Sequence, residues 1–242
     1  MVRSKGKTKT GRKISGLVLG LLAGGLIIYQ ALVWPNVAAL EKKNPKTTAF
    51  MELYKERQKQ SGKKPWVAWK WVAYSKISPN LKIAVLVSED INFFHHNGFD
   101  ADEMKNAISD AMEQGELPRG ASTISQQVSK NLWLSPSRNP LRKLKEALLT
   151  MELEHFISKK RILEIYLNIA EFGPGIYGAE AASRAYYKKS ASELTEDQAA
   201  SLSASLPLPR YWHPGSQSKY YAKRIGIVLD RMSKAQFLKK LI

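Results

Sequence analysis

Residues 14–34, ISGLVLGLLAGGLIIYQALVW, run for 21 positions without a charge. As a helix, such a run spans a bilayer core of about 30 Å. Tyr29 and Trp34 lie toward one end, where amphipathic rings favour the membrane–water interface. The arm before it, MVRSKGKTKTGRK, holds six Lys or Arg and no acid. Positive charge stays on the cytoplasmic side, so residues 1–13 are expected inside and everything after Trp34 outside. A cleaved signal peptide is the alternative, with Val37-Ala38-Ala39 as its cleavage site, but the apolar run exceeds the roughly 7–15 residues of a signal core. The expected organisation is a cytoplasmic arm (1–13), a transmembrane helix (14–34), a polar connector (35–64) and one domain (65–242).

Charge narrows the choice of partner. The chain carries 38 basic and 21 acidic residues, a formal +17. Removing the six charges of the arm leaves +11, so the outer domain is itself basic. That suits anionic lipid or a phosphate-bearing substrate. Nucleic acid is not expected, because this surface lies across the membrane from the genome. The chain has no cysteine, which excludes disulfides, thiolate metal sites and thiol nucleophiles.

The domain reads as mostly α. PWVAWKWVAY (65–74) fits no single period and is expected as short strand or irregular packing. Ser78 is placed to cap a helix that Pro79 opens. Asp100 caps another, after a turn at Gly98. Thr123 with Gln126, and Thr195 with Gln198, have capping-box spacing. Leu141, Leu144, Leu148 and Met151 recur at three, four and three residues, which predicts one buried face of a helix over 141–157. Further helices are expected over 162–172, stopped by Gly173-Pro174-Gly175, over 178–187, and over roughly 218–241. Rossmann and P-loop glycine patterns are absent.

Three stretches carry chemistry. In SEDINFFHHNGFD (88–100), Glu89 and Asp90 close a helix whose preceding turn is IAVLV. A carboxylate at such an apolar edge is partly desolvated, which raises its pKa toward the range useful to a general base. A solvated pair of acids is the plainer alternative. His95 and His96 diverge as neighbours and lack the spacing of a metal site, so a hydrogen-bonded structural histidine is expected and no metal. In GASTISQQVSKN (120–131), Thr123, Gln127 and Lys130 share one helix face, able to hold a phosphate or simply to cap a surface helix. In SRNPLRKLKE (137–146), Arg138, Arg142, Lys143 and Lys145 precede Glu146, forming either a dianion clamp or ordinary helix ion pairs.

Taken together and in order, these stretches resemble the motifs of the bacterial peptidoglycan glycosyltransferase family, family 51 type. The first motif is matched by Glu89, Asp90, Phe93, His96, Gly98 and Asp100. The second is matched by Gly120, Ser122, Thr123, Gln126, Gln127 and Lys130, and the third by Arg142, Lys143 and Glu146. Lys159, Ile162, Leu163, Glu164, Tyr166, Leu167 and Asn168 match the fourth. The fifth, an alanine-rich helix, ends in Tyr187 where Phe is usual. The resemblance covers about residues 65–215. No transpeptidase sequence follows, so the monofunctional biosynthetic branch is expected.

The resemblance implies a lysozyme-like fold with a smaller membrane-contacting lobe. It implies polymerisation of lipid II into β-1,4-linked glycan, with inversion and release of undecaprenyl pyrophosphate. Glu89 is then the general base. Lys130 and Arg138, with Arg142 and Lys143 nearby, receive the pyrophosphate, and Glu146 orients these cations or assists the leaving phosphate. Asp90, His96, Ser122, Thr123, Gln126 and Gln127 are implied substrate contacts. No cofactor is required, although a divalent cation could bridge the pyrophosphate. Expected partners are lipid II, the growing lipid-linked chain, the membrane and cell-wall synthesis or division proteins. The expected location is the bacterial inner membrane, with the catalytic domain periplasmic. Residues 101–119 are expected as a mobile, membrane-facing segment. Two rivals stand: a lysozyme-like hydrolase, and a non-enzymatic membrane scaffold.

Overall fold

A computed structural model describes residues 24–25, 29–30, 32–115, 120–137 and 139–242, which fall into two units divided after Asn36. In the first, residues 24–25, 29–30 and 32 are helical, and the Val33 N–H donates to the Tyr29 carbonyl. Among the described residues, no helix is long and apolar enough to cross a membrane. The basic arm and most of the expected transmembrane run lie outside the described residues.

The second unit begins at Val37 and holds nine α-helices among its described residues: α1 (Ala49–Gln60), α2 (Pro79–Glu89), α3 (Ala101–Gln114), α4 (Ile124–Trp133), α5 (Pro140–Phe156), α6 (Lys159–Ile169), α7 (Ala179–Tyr187), α8 (Glu196–Ser205) and α9 (Lys219–Lys234). A three-stranded sheet in the order β1-β3-β2 joins β1 (Ala68–Trp69), β2 (Glu171–Gly173) and β3 (Ile176–Tyr177), with β1 parallel and β2 antiparallel to β3. The mostly α reading holds. From Val37 on, the stretch expected as a connector is part of this unit, with Val37 and Met51 fully buried.

The central element is α2. Seven consecutive residues, Leu81 to Val87, are buried. Six of the seven are apolar, the exception being Lys82, and α8 and α9 pack against the helix. Each large aliphatic side chain there contributes about 1.5–3 kcal/mol of transfer free energy. Ser78 caps α2 by accepting from the Asn80 N–H, with Pro79 in the first turn. α8 and α9 also pack on each other, and α4 packs against α5 and α6.

Sequence periodicity misleads at two places. Leu141, Leu144, Leu148 and Met151 are 68, 58, 47 and 59% exposed. The buried face of α5 is instead Glu146, Leu149, Thr150 and Leu153. On this face the Thr150 hydroxyl meets Ser129 of α4 at 3.2 Å, Leu149 and Leu153 are fully buried, and Glu146 is enclosed by two cations of its own helix. The apolar stripe is real but faces outward, and α3 adds another in Met104, Ile108 and Met112. The second departure is α6, expected to run to 172 but ending at Ile169. Residues 171–177 find ladder partners in one another and in β1, and the hairpin turns at Gly175 with φ +73°. Of the segment 101–119, residues 101–114 form α3, capped by Asp100; 116–119 lie outside the described residues.

Candidate active site

Glu89 is the last residue of α2, half-buried where three other helices converge. Gln127 of α4 donates its amide N–H to Glu89 Oε2 at 3.1 Å. The Gln127 carbonyl oxygen accepts from the Tyr166 hydroxyl of α6 at 3.0 Å. Burial, then the negative charges of Glu89 and Asp90, push the Tyr166 phenol well above its usual range. It therefore stays a donor, which fixes the orientation of the Gln127 amide and aims its N–H at the carboxylate. From the other side, Arg224 of α9 brings Nη2 to 3.3 Å from Glu89 Oε1 and 3.1 Å from Ser88 Oγ. A general base needs its lone pairs aligned with a proton to abstract, and this carboxylate is held at both oxygens.

Asp90 points away from this contact. It accepts the Ile124 N–H at 2.9 Å and meets His96 Nε2 at 3.0 and 3.1 Å. His96 in turn accepts the Gly98 N–H at 3.2 Å. Gly98 has φ +92°, and a Cβ there would sit 2.9 Å from Thr150 Cγ2, so the turn requires glycine. Thr123 and Gln126 form a reciprocal capping box, and the Thr123 hydroxyl donates to the Gly98 carbonyl at 2.6 Å. Of the expected substrate contacts, Asp90, His96 and Thr123 thus tie the first motif to the start of α4, which Gln126 caps through its side-chain oxygen. They position Glu89 and Gln127. Both ring nitrogens of His96 are hydrogen-bonded within the protein.

The cations gather on the far side of Gln127. Lys130 lies on α4, one turn on. Burial lowers its pKa below that of an ordinary lysine; the Glu146 carboxylate opposes this, and Lys143 and Arg142 add to it. Glu146 is only 2% exposed and binds Arg142 Nη1 and Lys143 Nζ. The helix ion pairs of the plainer sequence reading do form, but around a buried carboxylate. That carboxylate cancels only part of the charge of three neighbouring cations, leaving a net positive site. Arg142 Nε is buried without a partner among the described residues, a donor with spare capacity. Arg138 lies outside the described residues.

Two cavities flank the centre. One, of about 350 Å³, is lined by Gln127, Lys130 and Tyr166 and is basic in character. The other, of about 330 Å³, is lined by Glu89, Asp90, Asp100, Glu103, Ser122 and Arg231, and is mainly acidic. Among the described residues, no group of three His, Asp or Glu side chains is placed to hold a metal ion.

The chain that carries this carboxylate and these cations is similar in sequence to known proteins. The sequence profile described as Transglycosylase matches residues 57–233. The chain belongs to the transglycosylase family. It is similar to a biosynthetic peptidoglycan transglycosylase of Neisseria gonorrhoeae, 43% identical over 219 residues, which is 90% of this chain and 94% of that one. Proteins of the same description from Thiobacillus denitrificans and Nitrosospira multiformis are 44 and 40% identical over 84 and 87% of this chain, and 88 and 91% of theirs.

In this transglycosylase, sequence reading missed Arg224 and gave Tyr166 no place in the site. Arg224 stands 135 positions beyond Glu89, in a helix that looks like an ordinary basic amphipath. The fourth motif is otherwise structural. Asn168 accepts from the Val72 N–H and donates to the Val72 carbonyl, docking the Trp-rich segment, while Trp71 donates to Glu164 at 3.2 Å. The Tyr187 hydroxyl, where the family pattern expects Phe, interacts with Ser201.

Proposed function

We propose that this transglycosylase polymerises lipid II, with Glu89 removing the proton from the 4-hydroxyl of the incoming sugar. The oxygen forms its bond to the anomeric carbon of the lipid-linked donor chain. The bond from that carbon to the diphosphate breaks, and the leaving oxygen takes the electron pair. Attack from the opposite face inverts the centre, giving a β-1,4 link from an α-linked diphosphate. One observation carries this reading: an oriented carboxylate between an acidic cavity and a basic one. Charge develops on the leaving diphosphate, so preorganised cations there lower the barrier most. Lys130, Arg142 and Lys143 supply them, with Arg138 as a further member from the sequence. Glu146, buried among them, keeps their heads converged. A hydrolase that cuts glycan has no diphosphate to receive and no use for this cluster.

The outward stripes of α3 and α5 support a membrane-contacting lobe within a lysozyme-like domain. Seven large apolar side chains on two helices suit acyl chains better than water. With residues 14–34 as the anchor, the domain would work at the outer face of the inner membrane, where the basic surface meets anionic lipid. The deciding experiment incubates the full chain with labelled lipid II in detergent and separates polymer from monomer. Polymer with released undecaprenyl pyrophosphate is expected. Reducing ends released from purified cell wall, with no polymer from lipid II, would replace this reading with hydrolysis.

A further inference from the structure

Part of the lining of the basic cavity, called its mouth below, takes no part in the chemistry just described. Tyr54, Arg57, Glu171, Tyr177, Arg210 and Tyr211 line it. Arg57 comes from α1 and Arg210 from the loop after α8. Both are exposed, and among the described residues neither is in ion-pair contact with an acid. The half-buried Glu171 carboxylate accepts the Gly175 N–H at 3.4 Å and hydrogen-bonds Tyr177. Burial raises its pKa, and Arg210 and Arg57 counter this through space. The mouth is a built feature. The rings of Tyr54 and Tyr177 meet edge to face at 6.2 Å, and a Cβ on Gly175 would come within 2.9 Å of the Tyr54 ring. The helix α1 is thereby seated on the hairpin, with Arg57 held at the rim.

We infer that this mouth binds a carboxylate of the peptide stem on the glycan substrate, with Arg57 and Arg210 as the anion contacts and Tyr54 and Tyr211 packing beside them. The inference rests on lipid II being the substrate. Two guanidiniums against one acid leave one net positive charge, matched to one carboxylate. A diphosphate would bring its second charge against Glu171, and it already has the Lys130 cluster. Planar guanidinium forks suit carboxylates, and tyrosine faces suit a sugar or peptide backbone.

The test compares the full chain on lipid II and on lipid II whose stem carboxylates are converted to carboxamides. Wild type is expected to show a KM about 2- to 5-fold higher on the amidated substrate at similar kcat, the size expected for exposed charge pairs. The double variant R57Q/R210Q is expected to lose the difference and treat both substrates as wild type treats the amidated one. Equal KM values for wild type, or discrimination kept in the variant, would overturn the inference while leaving polymerisation intact. The wild-type comparison needs no variant to fold. Absence of polymer from both substrates would overturn the reaction itself and this inference with it.

Discussion

Arg224 places its guanidinium 3.3 Å from the carboxylate of Glu89, closing the site with a helix near the end of the chain. The two side chains are 28 and 12% exposed, so water screens the contact only partly. With Gln127 on the other oxygen, both oxygens of the carboxylate are held. Arg224 touches no reacting atom in the proposed reaction and acts through Glu89.

Arg224→Gln should therefore lower kcat by about 10- to 100-fold while leaving KM for lipid II within about twofold, as for a misaligned general base. Arg224→Lys should recover part of the loss, because a point charge replaces the fork. Steady-state polymerisation assays separate the two parameters. A raised KM with unchanged kcat would make Arg224 a substrate contact instead.

Glu89→Gln keeps the shape and removes the base. Polymerisation should fall by at least about 10²-fold, with thermal unfolding unchanged to within a few degrees. Retained polymer synthesis would move the proton transfer to another group and revive the scaffold reading.

Asp90, one residue on, should behave oppositely. Its carboxylate accepts from a backbone N–H and His96 in a buried setting. Asp90→Ala leaves those groups unpaired and should destabilise the domain by about 2–4 kcal/mol, lowering Tm by several degrees or more. Circular dichroism melts of Glu89→Gln and Asp90→Ala, run side by side, would show whether the pair divides into a chemical and a structural acid.

Local rules explain which parts were legible in sequence. Caps at Ser78, Asp100, Thr123 and Thr195 use contacts within three residues, and each forms. The first three motifs were legible because their residue types are unusual together, and Glu89, Gln127, Lys130 and Glu146 do converge. Arg224 was illegible because nothing in KYYAKRIGIVLDRM distinguishes the arginine that faces inward. The α5 stripe failed for a different reason. Period 3.6 shows that one face is apolar, not what covers it, and the polar Glu146–Thr150 side packs on α4.

That inversion makes neighbouring leucines of α5 separable. Leu149 is fully buried and Leu148 is 47% exposed. Leu149→Ala should destabilise by about 2–5 kcal/mol through the cavity it leaves. Leu148→Ser combined with Leu144→Ser should change stability by less than about 1 kcal/mol yet weaken sedimentation of residues 35–242 with anionic liposomes. Binding that survives the double change would remove α5 from the proposed membrane face.

Lys130 links the electrostatics to pH. Its useful form is the ammonium, fully present below its lowered pKa and lost as pH rises through it. The alkaline limb of kcat/KM should thus fall at a pH below the 10.5 of an ordinary lysine. Glu146 is the leading charge opposing the shift, so Glu146→Gln should move the limb to still lower pH, besides slowing the reaction. Lys130→Arg should abolish the limb, because a guanidinium does not titrate in this range. Lys130→Ala should remove about 10²-fold of rate at every pH, as for a lost transition-state donor. An alkaline limb that stays in place in Lys130→Arg would assign the titration to another group and leave Lys130 as a fixed charge beside the leaving diphosphate.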